Sequence, residues 1–337
     1  MKKEKIVLGM SGGVDSSVAA ILLQKKGFEV YGIFMKNWDD KNAICNAEDD
    51  YADAVSVCNQ LNIPLKKINY TKEYKDRVFS QFLDDHKNGF TPNPDVLCNK
   101  EIKFDVFQKY AKQIGATKIA SGHYAKIVKE NDNFFISKAS DRTKDQSYFL
   151  YQLKSSLLHN IEFPLGSLLK KDIRKIAEEN NLVNASKKDS TGICFIGDRK
   201  YNDFVCQFLK TKKGKIITVD GEEIGYHDGH MYFTVGQRKG LGIGARNSAF
   251  DKPWYVVNKD INKNIVYVAQ GGTHPALFSD QLLADNMYWS KDISKLLPFK
   301  CNAKVRYRDE DHSCQILSSN EDKCYICLWY TSPSPRD

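Results

Sequence analysis

The sequence predicts an α/β protein: a parallel sheet with helices on both faces, then a small β-rich central domain and a C-terminal β-barrel-like domain. From Lys5 to about Leu182, short apolar runs alternate with longer segments of helical period, as in parallel sheets with crossover helices. A segment rich in glycine and serine follows the first apolar run directly. Beyond Lys210, short runs are separated by Asp-Gly and Gly-rich turns, which are typical of β structure.

Short apolar runs supply the strand candidates of the parallel sheet: Ile6–Met10, Val30–Met35, Leu65–Ile68 and Lys118–Ala120. The segments between them carry apolar residues at helical spacing. We therefore predict helices over Ser16–Lys26, Glu48–Leu61, Lys72–Asn88 and Glu101–Ile114. Gly27 and Gly115 follow the first and last of these segments and are expected to end them.

Changes in composition divide the chain after a further predicted helix over Tyr201–Leu209. We predict a catalytic domain over 1–205, a central β-rich domain over 206–274 and an incomplete C-terminal β-barrel domain over 275–329. Strands of the last domain are expected within Leu282–Trp289, Cys301–Tyr307 and Cys324–Trp329. The segment 330–337 has no apolar pattern, so we expect a non-native tail in place of the true end.

The bulk composition is that of a multidomain globular protein, with 337 residues of which 42% are hydrophobic. We expect a cytoplasmic protein, because no apolar run of about 18 residues and no export signal is visible. The net charge of +8 suits a polyanionic partner without requiring one. The 9 cysteines are scattered and odd in number, so we expect reduced thiols.

The segment Gly9–Ser17 lies between the first predicted strand and helix, where backbone amides and the positive helix end can hold an anion. Two glycines let the backbone approach a phosphate closely, and Asp15 could hold magnesium or orient a nucleotide. The segment lacks both the Gly-Lys-Ser/Thr ending of kinase-like loops and the dinucleotide fingerprint. A plain strand–helix turn with a Ser or Asp cap is the alternative.

The letters SGGVDS over 11–16 resemble the PP-loop of the ATP pyrophosphatases, whose domain is of the adenine nucleotide α-hydrolase type. This resemblance implies attack on the α-phosphate of ATP, giving an adenylated substrate and pyrophosphate. It leaves the acceptor open, because GMP synthetase, argininosuccinate synthetase and tRNA thiolases carry versions of the same loop.

Cys98 follows a loop with two prolines and is expected to lie where a helix opens, at about Cys98 or Asn99. A thiol at a helix N-terminus with Lys100 close by should have a lowered pKa. Asp95 lies near enough to carry a proton. The alternative is an ordinary buried cysteine beside a capping aspartate.

Cys194 lies in the polar, glycine-containing segment Asp189–Gly197, which predicts an exposed, movable loop that presents a reactive thiol. A packed cysteine is the alternative. The pair Cys324-x-x-Cys327 is not expected to be a redox or metal site. Structural roles are expected for Cys45, Cys58, Cys206, Cys301 and Cys314.

The motifs SGGVDSS, TPNPDVLCNKEIKF, SGHYAK, KDQSYFL, DSTGICFIG and FTVGQRKGLG occur in this order. Together they resemble the tRNA-specific 2-thiouridylase family from Lys5 to about Arg308. The resemblance implies a tRNA-uridine 2-sulfurtransferase that acts on the wobble uridine of the tRNAs for lysine, glutamate and glutamine. The family usually continues into a final strand with a Pro-Gly-Gln-type turn, which this sequence lacks.

The resemblance also assigns residues. It implies an ATP site formed by Gly9, Met10, Ser11, Gly12, Gly13, Val14, Asp15, Ser16, Met35 and Gly122. It implies contacts to the target base and tRNA by Asn93, Pro94, Asp95, His123, Lys144, Asp145, Gln146, Arg306 and Tyr307. Cys194 would carry a persulfide, Cys98 would be the nucleophile that releases its sulfur or forms a disulfide with Cys194, and Asp95 would be the acid/base.

The implied cofactors are ATP and the Mg²⁺ that accompanies it, with no metal site of the protein's own. The implied partners are tRNA and a persulfide donor such as a sulfur-relay protein or a cysteine desulfurase, with no membrane and a monomeric chain. Two alternatives stay open: a PP-loop small-molecule ligase in which both cysteines are incidental, and a non-catalytic tRNA-binding protein. Intact Asp15, Cys98 and Cys194 argue against the second.

Overall fold

The computed structural model describes residues 3–39, 47–189, 193, 195–197, 199, 201–243, 252–320 and 323–328. They fall into two compact units, one formed by Met1–Gln81 and Asn93–Arg199 and the other by Phe82–Pro92 and Lys200–Asp337. The predictions made for Cys45, Cys194 and the 330–337 tail lie outside the described residues. The predicted domain limits at 205 and 274 stay predictions.

The first unit is built on a parallel sheet with a short hairpin beside it. Its strands are β1 (Lys5–Gly9), β2 (Glu29–Lys36), β3 (Leu65–Asn69), β4 (Lys118–Ala120), β5 (Ala125–Glu130), β6 (Asn133–Lys138) and β7 (Ile161–Glu162). Five of them form one parallel sheet in the order β3-β2-β1-β4-β7, and β5 pairs with β6. The predicted strands are confirmed. The sequence does not predict β7, because two residues carry no periodic pattern.

Each predicted helical segment contains a helix, and three further helices among the described residues were not predicted. The helices are α1 (Val14–Lys25), α2 (Ala47–Gln60), α3 (Thr71–Tyr74), α4 (Ser80–Lys87), α5 (Pro94–Leu97), α6 (Phe104–Ile114), α7 (Ser155–Leu158), α8 (Lys170–Glu179) and α9 (Tyr201–Val205). The three that were not predicted are α5, α7 and α8. A π-helical turn over Lys75–Phe79 joins α3 to α4, and another over Cys98–Lys103 joins α5 to α6. As predicted, Gly115 ends α6, with a φ of 68° that suits glycine.

The helix that carries Cys98 begins earlier than predicted. Pro94 occupies its first turn, and the Asn93 side chain accepts a hydrogen bond from the Asp95 amide at 3.2 Å. A proline is favoured at the first helical position because its φ is already helical and its missing N–H would have no partner there. Cys98 therefore lies one turn inside the helical segment, and the prediction that the helix opens at Cys98 or Asn99 is wrong.

The core of the first unit surrounds β1. Ile6, Val7 and Leu8 are fully buried, as expected for a central parallel strand covered on both faces. One cluster joins β1 and β2 to the inner faces of α1, α2 and α8. This packing holds β1 in the centre of the sheet, and the loop 9–13 leaves the sheet at the carboxyl end of that strand.

The second unit consists of two four-stranded sheets. The first contains β8 (Gly214–Thr218), β9 (Glu223–His227), β10 (Trp254–Asp260) and β11 (Ile265–Gln270), in the order β10-β11-β8-β9. The second contains β12 (Gln281–Asp285), β13 (Phe299–Ala303), β14 (His312–Ser319) and β15 (Lys323–Leu328), in the order β12-β15-β14-β13. Each sheet has its own buried cluster, and within the described residues the second sheet is open.

Candidate active site

The site lies at the carboxyl ends of two neighbouring strands. The loop 10–13 follows β1, and Ser121, Gly122 and His123 follow β4, which pairs with β1 in parallel. The chain passes from β1 outward to β2 and β3 and then returns to β4 on the other side of β1. In open α/β sheets such a reversal leaves a crevice in which ligands bind.

The glycine- and serine-rich loop is shaped by its own hydrogen bonds. Ser16 Oγ accepts from the Ser11 amide at 3.2 Å and donates to the Gly13 carbonyl at 3.0 Å. Gly12 has a φ of 76°, and a Cβ there would overlap the Asp50 carbonyl. In the described structure the N-cap of α1 is Gly13, with no side-chain cap. The interpretation as a Ser- or Asp-capped turn is therefore excluded, and the first amides of α1 are available to an anion.

A buried asparagine fixes this loop from outside. Asn184 Nδ2 donates to the Gly12 carbonyl at 2.9 Å and to Ser17 Oγ at 3.0 Å. Lys187 binds Asp50 at 2.6 Å and Asp53 at 2.5 Å, which ties the same region to α2. Asn184 and Lys187 could not be predicted from the sequence, because a single Asn or Lys carries no signal without its spatial neighbours.

Asp15 lies in the first turn of α1 and is held by two donors. Tyr124 Oη and Lys170 Nζ each donate to its Oδ1 at 2.7 Å. Burial and the Asp15 carboxylate both raise the pKa of Tyr124, so the phenol stays protonated and donates. Lys170, at the start of α8, was not predicted.

Asp189 gathers cations beside Asp15. Lys144, Lys170 and Arg174 each approach its carboxylate to 2.8 Å. Partial burial raises the pKa of Asp189, but the hydrogen bonds and charges of Lys144 and Lys170 outweigh this effect and hold the pKa at about 2. The network thus fixes the last described residue before the segment that leads to Cys194.

Gly122 brings the segment that follows β4 into close contact with Asp15 and Ser16 at the start of α1. A Cβ on Gly122 would lie 3.1 Å from the Ser16 amide nitrogen and 3.2 Å from the Asp15 carbonyl carbon. These distances are tighter than ordinary contacts to a side chain, so only glycine fits without a shift of the loop. The role of Gly122 in ATP binding stays a prediction.

His123 is a partly buried, neutral imidazole. Its Nε2 lies 3.5 Å from Lys103 Nζ, and its Nδ1 lies 2.7 Å from Ser121 Oγ. Burial, and after it the charge of Lys103, lowers the His123 pKa well below its usual value. Because the Lys103 ammonium is only a donor, Nε2 accepts and Nδ1 donates to Ser121. Phe104 stacks on the ring at 27°.

Cys98 and Asp95 share this environment, and here the prediction of a lowered thiol pKa is wrong. Burial raises the pKa of Cys98, which is only 5% exposed; Lys103 opposes this effect and Asp95 adds to it. The predicted Lys100 instead pairs with Glu101 at 3.4 Å. Burial likewise raises the pKa of Asp95, against the charge of Lys103. The structure therefore brings Asp95, Cys98 and His123 together around Lys103, which the sequence analysis missed.

The other predicted tRNA contacts have structural partners. Asp145 is buried and accepts from the Ala139 amide and Ser147 Oγ, both at 2.8 Å. Gln146 Oε1 accepts from the Tyr124 amide at 3.0 Å. Their roles at tRNA stay predictions.

Arg306 and Tyr307 lie in the second unit, between β13 and β14. Arg306 donates to the Val235 carbonyl at 2.5 Å, and Arg308 lies over the Tyr307 ring.

Met35, a predicted ATP contact, is half-buried near the carboxyl end of β2. Nothing in the described residues tests the role of Cys194 as the sulfur carrier.

The parallel sheet and the uncapped loop at its switch point define a PP-loop nucleotide-binding domain, so the predicted fold class is confirmed. A family model described as "tRNA methyl transferase HUP domain" matches residues 4–198, and one described as "tRNA methyl transferase PRC-barrel domain" matches 202–270.

The full-length comparisons are closer. The tRNA-specific 2-thiouridylase MnmA 1 of Geobacillus kaustophilus is 53% identical over 318 residues, which are 94% of this chain and 85% of that protein. The MnmA proteins of Legionella pneumophila strain Lens and of Bacillus subtilis are 50% and 49% identical, over 96% of this chain and 90% and 86% of their own lengths. The chain therefore belongs to the tRNA-specific 2-thiouridylase family, and the resemblance carried by its motifs is confirmed.

Proposed function

We propose that this protein is a tRNA-uridine 2-sulfurtransferase that uses ATP to activate the 2-oxygen of the wobble uridine and replaces that oxygen with sulfur. The observation that carries the proposal is the continuity of the site. Gly122 touches the PP-loop at Ser16, its neighbour His123 faces Lys103, and Lys103 acts on Asp95 and Cys98. A nucleotide-activating loop and a nucleophilic thiol thus belong to one site.

The first step is adenylation. The uridine 2-oxygen attacks the α-phosphorus of ATP and pyrophosphate leaves, which converts a poor leaving group into AMP. The amides at the start of α1 and the hydroxyls of Ser11 and Ser16 would hold the phosphates. Donors aimed at developing negative charge stabilise such a transition state, and this loop is already ordered by its own hydrogen bonds.

Asp15 is the residue that would hold Mg²⁺ with the ATP phosphates. Magnesium usually takes one or two protein carboxylates, with the substrate phosphates and water as its other ligands. A single carboxylate beside a phosphate loop fits that pattern, and both observed donors to Asp15 bind the same oxygen, Oδ1. The ion would arrive with the nucleotide, whose phosphates supply most of its ligands.

The second step is sulfur transfer. The persulfide sulfur expected on Cys194 adds to C2 of the activated base, and AMP departs with the original oxygen. Cys98 then attacks the inner sulfur of Cys194, so the bond between the two persulfide sulfurs breaks and the outer sulfur stays on C2. In the alternative order, Cys98 attacks that inner sulfur first and releases the outer sulfur as sulfide, which adds to C2 and displaces AMP. Both routes end in a Cys98–Cys194 disulfide. A cellular thiol reductant must reduce that disulfide before the next turnover.

Lys103 and Asp95 make the buried thiol competent. The raised pKa of Asp95 makes it a stronger base than an ordinary carboxylate, so it would take the proton from Cys98. Lys103 would stabilise the resulting thiolate, whose pKa is otherwise raised by burial. Neutral His123, whose Nε2 is the acceptor nitrogen, would accept a hydrogen bond at the base without adding charge.

The substrate would enter as a base turned out of the anticodon stack, as enzymes that modify bases require. We assign the contacts to this base to Asn93, Pro94, Asp95 and His123, and further tRNA contacts to Lys144, Asp145, Gln146, Arg306 and Tyr307. We propose the tRNAs for lysine, glutamate and glutamine as substrates and a sulfur-relay protein or cysteine desulfurase as the persulfide donor. The chain would act as a monomer in the cytoplasm, where tRNA is modified. No helix in the described part of the chain is long and apolar enough to cross a membrane.

Pyrophosphate release tests the proposal against its two alternatives. Full-length protein with ATP and Mg²⁺ should release pyrophosphate only when unmodified tRNA is added, and tRNA already thiolated at the wobble position should not support release. Cys98→Ser should retain most of this release, because the thiol acts after adenylation. Release with amino acids or nucleotides in place of tRNA would favour the small-molecule ligase, and tRNA binding without any release would favour the non-catalytic binding protein.

A further inference from the structure

Two cysteines of the second unit face each other across neighbouring strands. Cys301 on β13 and Cys314 on β14 are directly opposite in the antiparallel register. Their sulfur atoms lie 3.4 Å apart, which is van der Waals contact between two thiols. Directly opposite residues can bring their Cβ atoms to about 4.5 Å, the upper end of the range of about 3.5 to 4.5 Å found in disulfides. Side-chain rotation together with a small approach of the two strands therefore brings the sulfurs to bonding distance.

The two thiols differ in access to solvent. Cys314 is fully buried in the cluster behind the sheet, whereas Cys301 is only partly buried. Burial, and after it the hydrogen bond with Cys301, raises the pKa of Cys314 to about 12. Cys301 is therefore the thiol that a dissolved reagent meets first, and Cys314 is positioned to react with Cys301 Sγ once that sulfur is part of a mixed disulfide.

The other cysteines of this sheet do not complete a metal site. Cys324 lies in the same buried cluster as Cys314, whereas Cys327 pairs with Gln315 and so lies on the opposite face of the sheet from Cys314. Within the described part of the chain, no group of three or more His, Cys, Asp or Glu residues could hold a metal ion. The contact between Cys301 and Cys314 thus points to thiol chemistry.

We propose that Cys301 and Cys314 form a reversible dithiol/disulfide site that is oxidised by low-molecular-weight disulfides. The Cys301 thiolate attacks one sulfur of the small disulfide, and the first small thiolate leaves. Cys314 then loses its proton and attacks Cys301 Sγ, and the second small thiolate leaves. Two protein thiols lose two electrons in total, and one small disulfide is reduced to two thiols.

The site lies at the base of a functional hairpin. The connection between β13 and β14 carries Arg306 and Tyr307, the predicted tRNA contacts, and the disulfide would close a loop across it. A cross-link of this kind restricts the unfolded chain and so raises the unfolding temperature of the unit. The inference rests on the geometry of the two thiols and does not depend on the proposed activity.

Peptide mapping after treatment with oxidised glutathione tests the site. Full-length protein is oxidised, its free thiols are alkylated, and the digested peptides are identified by mass spectrometry. We expect a linked peptide pair containing Cys301 and Cys314, lost on treatment with dithiothreitol and retained in the matched control Cys327→Ser. Cys314→Ser should keep one glutathionyl group on Cys301, whereas Cys301→Ser should leave Cys314 unmodified.

The oxidised protein should also unfold at a higher temperature than the reduced protein, and this rise should be absent in Cys301→Ser. Recovery of both thiols in alkylated form from the oxidised wild-type protein would overturn the proposal. So would a stable glutathionyl group on Cys301 with Cys314 still free. Because linkage is assigned peptide by peptide, oxidation of Cys98 elsewhere in the chain does not enter either result.

Discussion

Lys103 Nζ lies 3.5 Å from His123 Nε2, and its charge lowers the pKa of Cys98, Asp95 and His123. One partly buried cation thus influences the nucleophile, its proton acceptor and the imidazole placed at the target base. Since burial raises the pKa of the first two groups, Lys103 is the group that opposes the cost of a buried negative charge there.

Replacing Lys103 should therefore impair the thiol. Lys103→Met should slow tRNA thiolation by roughly tenfold, the scale of a charge interaction of about 1.4 kcal/mol. It should also move the alkylation of Cys98 by iodoacetamide to higher pH, measured on the Cys98 peptide, while Lys103→Arg should restore part of both. A merely structural role would not shift the pH profile.

Lys100 supplies the matched control. Lys100 lies on the same helical segment as Lys103, but its exposed side chain pairs with Glu101. Lys100→Met should leave the Cys98 alkylation profile unchanged. Equal shifts in the two variants would contradict the assignment of Lys103.

Gly122 should be sensitive to a single methyl group. Gly122→Ala places a Cβ 3.1 Å from the Ser16 amide nitrogen, so the phosphate loop must move. We expect the KM for ATP in tRNA-dependent pyrophosphate release to rise by about tenfold, since a displacement costing about 1.4 kcal/mol has that effect. Gly225→Ala, where the new Cβ meets its nearest atom at 3.8 Å, should behave as wild type. An unchanged KM in Gly122→Ala would refute the close approach.

Lys170 is expected to position Asp15. Its ammonium donates to Asp15 at 2.7 Å and to Asp189 at 2.8 Å. Removing a charged partner from a half-buried carboxylate costs on the order of 1 to 3 kcal/mol, so Lys170→Met should lower pyrophosphate release by about tenfold or more. The exposed neighbour Lys171→Met should retain the wild-type rate, and a normal rate in Lys170→Met would show that Asp15 needs no such support.

His86 should make the stability of the second unit depend on pH. Its ring is buried against Phe82 and bonded to Tyr201, and burial, followed by the charge of Lys259, lowers its pKa from 6.5 to about 4. Between these two values the unfolded chain binds more protons than the folded chain, so stability is complete above about pH 6.5 and is lost as pH falls towards 4.

The expected loss is on the order of 3 kcal/mol, from a shift of about two and a half pKa units. It can be measured as the free energy of unfolding in urea across that pH range. His86→Phe cannot titrate and should lack this part of the dependence. Equal slopes for the wild type and the variant would contradict the buried, neutral His86.

The fold could be predicted from the sequence where periodicity is strong. The four short apolar runs became β1 to β4, because a buried parallel strand and a crossover helix each have their own apolar spacing. The two-residue β7 and the hairpin of β5 and β6 were missed, since their stability comes from pairing with distant segments.

Residues of the site could be predicted from the sequence only where they belong to a recognisable motif. Asp95 and Cys98 were identified by their surroundings in the sequence and His123 by the resemblance to the family, but the thiol pKa was predicted in the wrong direction. The pKa of Cys98 is raised because its side chain is buried and because the helix begins at Pro94, so Cys98 is not at the helix N-terminus. Lys103 and Lys170 were missed because charge pairing across a fold leaves no mark at the sequence position of either partner.

Nucleoside mass spectrometry tests the central claim most directly. Full-length protein is incubated with unmodified tRNA, ATP, Mg²⁺ and a persulfide donor, and the tRNA is then digested. We predict 2-thiouridine at the wobble position of the tRNAs for lysine, glutamate and glutamine, and none with Cys98→Ser or Cys194→Ser. Absence of any thiolated nucleoside with the folded wild-type protein, or undiminished 2-thiouridine with Cys98→Ser, would contradict the account.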